Sequence, residues 1–260
     1  ASLGPVTLVF TFINYIWNSQ GIATTSMISG VLNRDGFTAK DRNRRGGEIL
    51  ASSLTLALAA GSLVCLLLEV LGPQIIALTG AAPELIPPAM EYLRIRALAT
   101  PAAFGVVVSQ AALMAQRKSL IPCLVIAAST LANFGLDVVL IVFQNMGLAG
   151  AAWATLASQY VAFGLLQVAL RRKSQIRPVW HVPSAKELVD FASNTGPLAF
   201  IYLCKNICYT AIQRTATALP VVQLAAHQPT FMLWNLCAFS TTPLEQAALA
   251  YMPAARTRRQ

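Results

Sequence analysis

Charge is what this sequence has least of. Asp, Glu, Lys and Arg make up 11% of its 260 residues, against about 25% in ordinary soluble domains. Hydrophobic residues reach 56% and the mean hydropathy is +0.59. One soluble core of this size cannot bury so much apolar surface, so a membrane is the expected solvent. Acidic residues are scarcer still, ten against nineteen basic, for a net charge of +9. A basic balance could suit nucleic acid, but the charges are confined to short loops between apolar runs, and no nucleic-acid partner is expected. No nucleophile–base pair or metal-ligand set is visible, so neither an enzyme nor a cofactor is expected. Cys65, Cys123, Cys204, Cys208 and Cys237 all sit inside apolar runs without zinc or redox spacing. Cys204 and Cys208 share a helix face, yet small, soft packing residues are the simpler reading. There is no signal-peptide pattern.

What is present is long uncharged runs. The first 33 residues, 49–68, 97–116, 138–170 and 215–244 contain no Asp, Glu, Lys or Arg. At roughly 20 residues per membrane-spanning helix, the pattern predicts seven helices, near 5–32, 47–78, 84–116, 120–143, 149–171, 187–218 and 224–253. Gly72-Pro73 is expected to break the end of the second and Pro101 to kink the third.

The loops alternate in charge. One set holds Arg34, Lys40, Arg42, Arg44 and Arg45, then Arg117 and Lys118, then Arg171, Arg172, Lys173, Arg177 and Lys186, with Arg256, Arg258 and Arg259 in the tail. That is fifteen of the nineteen basic residues. The alternate loops, 79–90, 144–150 and 219–227, have no Lys or Arg. The positive-inside rule then places the basic loops in the cytoplasm, or in a stroma or matrix.

Seven helices with this orientation also suit a G-protein-coupled receptor, but its marks are missing. The third helix ends in AQRKS rather than an acidic-Arg-aromatic triplet, the last lacks Asn-Pro-x-x-Tyr, and the outer loops hold no cysteine pair. An internal repeat points elsewhere. Trp17, Asn18, Thr24 and Thr25 recur as Trp234, Asn235, Thr241 and Thr242, six helices later and in the same direction, which is the arrangement of parallel transporter repeats.

Polar residues inside the spans are the candidate site. Asn14, Asn18, Thr25 and Ser29 form one stripe of the first helix and should face protein or a water-filled cavity. Asn133 and Asp137 are four apart on the fourth helix and share a face. A carboxyl group there suits ion coupling, or else a salt bridge that locks two helices. Lys205, deep in the sixth helix, could meet an anionic substrate or pair with Glu245. Arg214 is expected to snorkel to the outer surface. Glu69, Arg94 and Arg96 are expected at the outer interface, and His227 at a helix start.

YLRIRALATPAAFGVVVSQAAL (92–113), LANFGLDVVLIVFQNMGLAGAAWATLASQY (131–160), FTFINYIWNSQGIATTSM in the first helix and AAHQPTFMLWNLCAFSTTPLEQAALAYMP in the last resemble helices of the MATE (multidrug and toxic compound extrusion) transporters, especially their DinF-like branch. The resemblance implies an all-α, polytopic membrane protein whose seven helices correspond to family helices two to eight of a twelve-helix, two-lobe fold. It implies that the chain is a fragment: 1–173 would be most of the N-terminal lobe, 174–186 the inter-lobe loop and 187–260 the start of the C-terminal lobe. The family exchanges drugs or organic metabolites for H⁺ or Na⁺. By resemblance, the coupling site falls on Asp137, Asn133 and Thr155. A second carboxylate, on family helix one, would complete it. Asn14, Asn18, Thr25, Gln110, Lys205 and Glu245 are the candidate cavity-lining residues. The expected partners are membrane lipid and a small organic substrate, and a monomer is expected. The membrane is a plastid envelope or a plasma membrane. A lipid-linked or polymer flippase of the wider superfamily, or a truncated membrane protein without transport, are the alternative readings.

Overall fold

A computed structural model describes residues 3–34, 36–78, 86–176 and 185–217, together with isolated positions between 229 and 251. All regular structure among the described residues is helical. The helices are α1 (Leu3–Leu32), α2 (Ala39–Leu78), α3 (Ile86–Ala97), α4 (Thr100–Ala115), α5 (Leu120–Asp137), α6 (Gly147–Lys173) and α7 (Ala185–Thr217). The segment expected to be a helix over 224–253 lies mostly outside the described residues, as do His227 and the side chain of Arg214.

Three helical stretches, Ala39–Ile76, Leu120–Phe143 and Gly147–Lys173, are long and apolar enough to cross a membrane. The pair Ala89–Ala97 and Thr100–Ala115, bent by 46°, is long and apolar enough for a fourth crossing if the two helices act as one span. At 1.5 Å per residue α1 is about 45 Å long, so it too has the reach.

The bend falls where Pro101 was expected to kink the chain, and the sequence around it repairs the damage. Proline cannot donate a backbone hydrogen bond, and unpaired carbonyls are costly in lipid. Thr100 Oγ1 lies 2.7 Å from Ala97 O and 2.9 Å from Gly61 O, while Tyr160 Oη donates to Leu98 O at 3.1 Å. Thus α2 and α6 both hold the break. Gly61 permits this contact, because a Cβ there would stand 2.6 Å from Pro101 Cα.

The expected break at Gly72-Pro73 does not occur. α2 runs on to Leu78 with Pro73 inside it and exposed. A membrane helix tolerates the lost hydrogen bond when its surroundings compensate. Gly72 serves packing instead: a Cβ there would meet Met90 Cε at 2.8 Å, so the glycine lets α2 lie close against α3.

Two apolar clusters hold the helices together. One joins Ile28, Leu50, Leu54, Phe104, Leu166 and Leu170 across α1, α2, α4 and α6. The other joins Val6, Phe10, Leu68, Ile76, Met90 and Leu93 towards the opposite ends of α1 and α2. Between them the Trp17 ring stacks on Phe104 at 3.9 Å, 7° from parallel, and Trp17 Nε1 donates to Phe104 O at 3.4 Å. The expected interfacial charges meet as a pair, Arg94 Nε to Glu69 Oε2 at 3.6 Å, and Arg96 lies 4.9 Å from the Phe10 ring centre.

The basic ends of the helices converge. Arg42 donates to Leu32 O at 3.4 Å and Phe37 O at 3.2 Å, placing a cation on the carbonyl end of α1. Lys118 Nζ donates to Lys173 O, and Gln116 Oε1 accepts from Ser174 Oγ at 2.8 Å and Gln175 N at 3.0 Å. α7 then packs against α1.

Candidate functional site

α5 places Asn133 and Asp137 one turn apart. Apart from Pro122 and Val125, none of its residues is buried. Leu131 is 72% and Phe134 68% exposed, as lipid or a further helix requires. Asn133 and Asp137 are half-buried, and α5 packs chiefly on α6. The Nδ2 atom of Asn133 and the Oδ1 atom of Asp137 are buried and have no hydrogen-bond partner. A buried polar atom without a partner costs roughly 1–3 kcal/mol, and more for a charged group.

The helix changes form directly after Asp137. Val138–Phe143 is a π-helical turn, closed by Gln144 N donating to Val139 O at 3.1 Å. Such turns are rare and frequent at functional sites. Nothing in the run VVLIVF announces it, since the residues suit any apolar helix.

Thr155 comes to the same depth from the other side of the hairpin. Gly150 on α6 is in close packing with Leu140, whose backbone carbon would lie 3.2 Å from a Cβ at Gly150. Counting back along α5 and forward along α6 from that contact puts Thr155 level with Gly135, between Asn133 and Asp137. Thr155 Oγ1 donates to Ala151 O at 2.9 Å, so its lone pairs remain available. A carboxylate, an amide and a hydroxyl at one depth form a hard oxygen-rich set that can hold a proton or a small hard cation.

The polar stripe of α1 splits in two. Thr25 is fully buried, with Oγ1 3.0 Å from Gly21 O and 3.4 Å from Ala111 O of α4, and Ser29 is buried as well. Asn14 and Asn18, in the other half, are exposed. The inner half faces protein and the outer half is open. Gln110 is half-buried on α4. Its neighbour Ser109 makes the buried contact, accepting from Gln167 Nε2 at 2.9 Å.

Sequence reasoning passed over a second polar cluster. Gln20, Thr24 and Ser53 are at most 2% exposed. Gln20 Nε2 donates to Ser53 O at 3.3 Å, while Gln20 Oε1, Thr24 Oγ1 and Ser53 Oγ have no partner. Gln20 in the middle of an uncharged helix was the available signal.

Lys205 is exposed on α7, and among the described residues no carboxylate pairs with it. The Lys205–Glu245 pair considered from the sequence does not form. Glu245 is exposed, and its backbone N donates to Thr241 O at 3.1 Å. The repeated tryptophans also differ in surroundings: Trp17 stacks on Phe104, whereas Trp234 meets Tyr209 edge-on at 5.0 Å.

Comparison with known proteins places the fold. A family description named MatE matches residues 1–139. Protein DETOXIFICATION 47, chloroplastic, from Arabidopsis thaliana is 31% identical over 97% of this chain and 46% of its own length. The DNA damage-inducible protein F of Escherichia coli is 30% identical over 51% of this chain and 30% of its own. A solved structure described as MATE in the bent conformation superposes with a TM-score of 0.84 at 21% identity, covering 98% of this chain and 56% of that one. The chain thus spans about half the length of the relatives it matches.

Proposed function

The chain belongs to the MatE family, and from that membership we propose that it works in a secondary antiporter that exports drugs or organic metabolites in exchange for H⁺ or Na⁺. Residues 1–173 form most of an N-terminal lobe, 174–186 the linker and 187–260 the start of a C-terminal lobe. Asp137 is the coupling carboxylate, with Asn133 and Thr155 beside it.

The observation that carries this reading is the pair of unpartnered buried atoms, Asn133 Nδ2 and Asp137 Oδ1, at the start of a π-helical turn. Unlike the neutral Gln20, Thr24 and Ser53 group, this pair includes an ionisable carboxyl, so a proton or a small cation can supply the missing partner. A site that must take up and release an ion keeps them waiting. Binding the ion favours one packing of α5 on α6 over another, and so biases the transporter between inward- and outward-open forms. The Arabidopsis relative is chloroplastic, which supports a plastid membrane as the place of action.

The test is reconstitution of the protein, expressed from its complete reading frame, in liposomes loaded with a panel of fluorescent cations and organic anions. Efflux that an imposed pH or Na⁺ gradient accelerates supports antiport. Efflux indifferent to both gradients for every compound sinks it. A fluorescent-protein fusion of the same reading frame reports the membrane, and signal away from plastids removes that part.

A further inference from the structure

We propose that Ser174 is a phosphorylation site, read by a kinase that selects basic residues before its target, and that a phosphate there releases the segment after α6 from the helices that hold it. The inference goes beyond the antiport reading and does not require it.

The sequence supplies the recognition element. Arg171, Arg172 and Lys173 occupy the three positions before Ser174, and all three are exposed. The positive-inside rule and the carbonyl end of α6 account for cations at this place. They do not account for a hydroxyl directly behind them. Ser174 is also where α6 ends, with φ −84° and ψ 143°, so the chain is already extended at the acceptor. In the transfer, Ser174 Oγ attacks the γ-phosphorus of ATP, the bond to the ADP oxygen breaks, and the hydroxyl proton passes to a base of the kinase.

That hydroxyl is the centre of a latch. Its single proton faces two acceptors, Gln116 Oε1 at 2.8 Å and Ile176 O at 2.6 Å, and it accepts from Ile176 N at 3.0 Å. Gln116 Oε1 also accepts from Gln175 N at 3.0 Å. Ile176 is fully buried in the cluster that includes Leu50, Leu54 and Leu166. Its Cδ1 is 3.0 Å from where a Cβ on Gly46 of α2 would stand. A phosphate on Ser174 sets three oxygens against these two acceptor oxygens, which repel it. Close packing around Ile176 leaves it no room, so the turn opens.

The displaced phosphate has a destination. Gln116 and Gln175 line a cavity of about 210 Å³ together with Arg42, Arg117, Asn33 and Asn43, and none of these six is acidic. Guanidinium groups form charge-assisted hydrogen bonds with phosphate. The modification thus exchanges a hydroxyl latch for an ion pair and shifts the order of the segment. Ser119 also follows basic residues, Arg117 and Lys118, but Gln116 stands three before it. It precedes α5 without a side-chain capping bond, so a phosphate there would favour the helix start and open nothing.

The test uses the protein from its complete reading frame in lipid nanodiscs, with ATP and the catalytic subunit of cyclic-AMP-dependent protein kinase. Mass spectrometry should find phosphate on Ser174. Arg171→Gln combined with Arg172→Gln should slow its incorporation at least tenfold. Residue-resolved hydrogen exchange should then be at least tenfold faster at the Gln175 and Ile176 amides of the phosphorylated protein. In Ser174→Ala the Gln175 amide should stay protected, because Gln116 still holds it, so loss of the hydroxyl alone does not reproduce the effect. No incorporation, phosphate on Ser119 in place of Ser174, or incorporation indifferent to both arginines would overturn the site. Exchange at Gln175 that phosphate leaves unchanged or slows would overturn the release.

Discussion

Asn133 and Asp137 stand one turn apart on α5, and each buries an atom, Nδ2 and Oδ1, that no hydrogen bond meets. Leaving such atoms unpaired costs stability, so the arrangement predicts a trade of stability for function.

Replacing Asn133 by Leu removes the unpaired amide and keeps the bulk. The melting temperature of Asn133→Leu should equal or exceed that of wild type, because the desolvation cost of the amide disappears. Gradient-driven efflux should fall at least tenfold. A large drop in melting temperature would mean that the amide is structurally paired, against this account.

Gly61 sets the distance between α2 and the bend. A side chain there meets the Pro101 backbone, which cannot move aside like a flexible side chain. Gly61→Val should cost about 1–3 kcal/mol, the usual range for overpacking, seen as a lower melting temperature in detergent. A melt unchanged from wild type would show that α2 can withdraw freely.

The bend between α3 and α4 depends on two hydroxyls from outside the backbone. Tyr160→Phe removes the donor to Leu98 O, and Thr100→Val removes the donor to Ala97 O, the carbonyl that Pro101 cannot serve. Each should cost about 1 kcal/mol, measured by chemical or thermal unfolding. Because both hydroxyls repair the same break, the double variant should differ from the sum of the single ones.

The helices and their alternating loop charge were legible because lipid demands long apolar runs and basic residues stay on one side. The bend was legible from Pro101, but Pro73 misled: proline marks a lost hydrogen bond, and neighbours decide whether the helix ends. The stripe from Asn14 to Ser29 was correctly periodic. Its division into an open outer half and a buried inner half depends on how α1 meets α4, which periodicity does not encode. Asn133 and Asp137 were visible as polar residues in an apolar run. The π-helical turn after them was not, since VVLIVF reads the same in either helix form. Thr155 came from family resemblance, and its depth from the contact of Gly150 with Leu140.

The most direct test of Asp137 as the coupling carboxylate is the ratio of efflux with an imposed pH or Na⁺ gradient to efflux without one, measured in proteoliposomes for wild type, Asp137→Asn and Asp137→Glu. The account predicts a ratio near one for Asp137→Asn, with the protein inserted and folded, and a ratio above one for wild type and for Asp137→Glu. A gradient ratio in Asp137→Asn equal to that of wild type would contradict the account and leave Asp137 a structural residue.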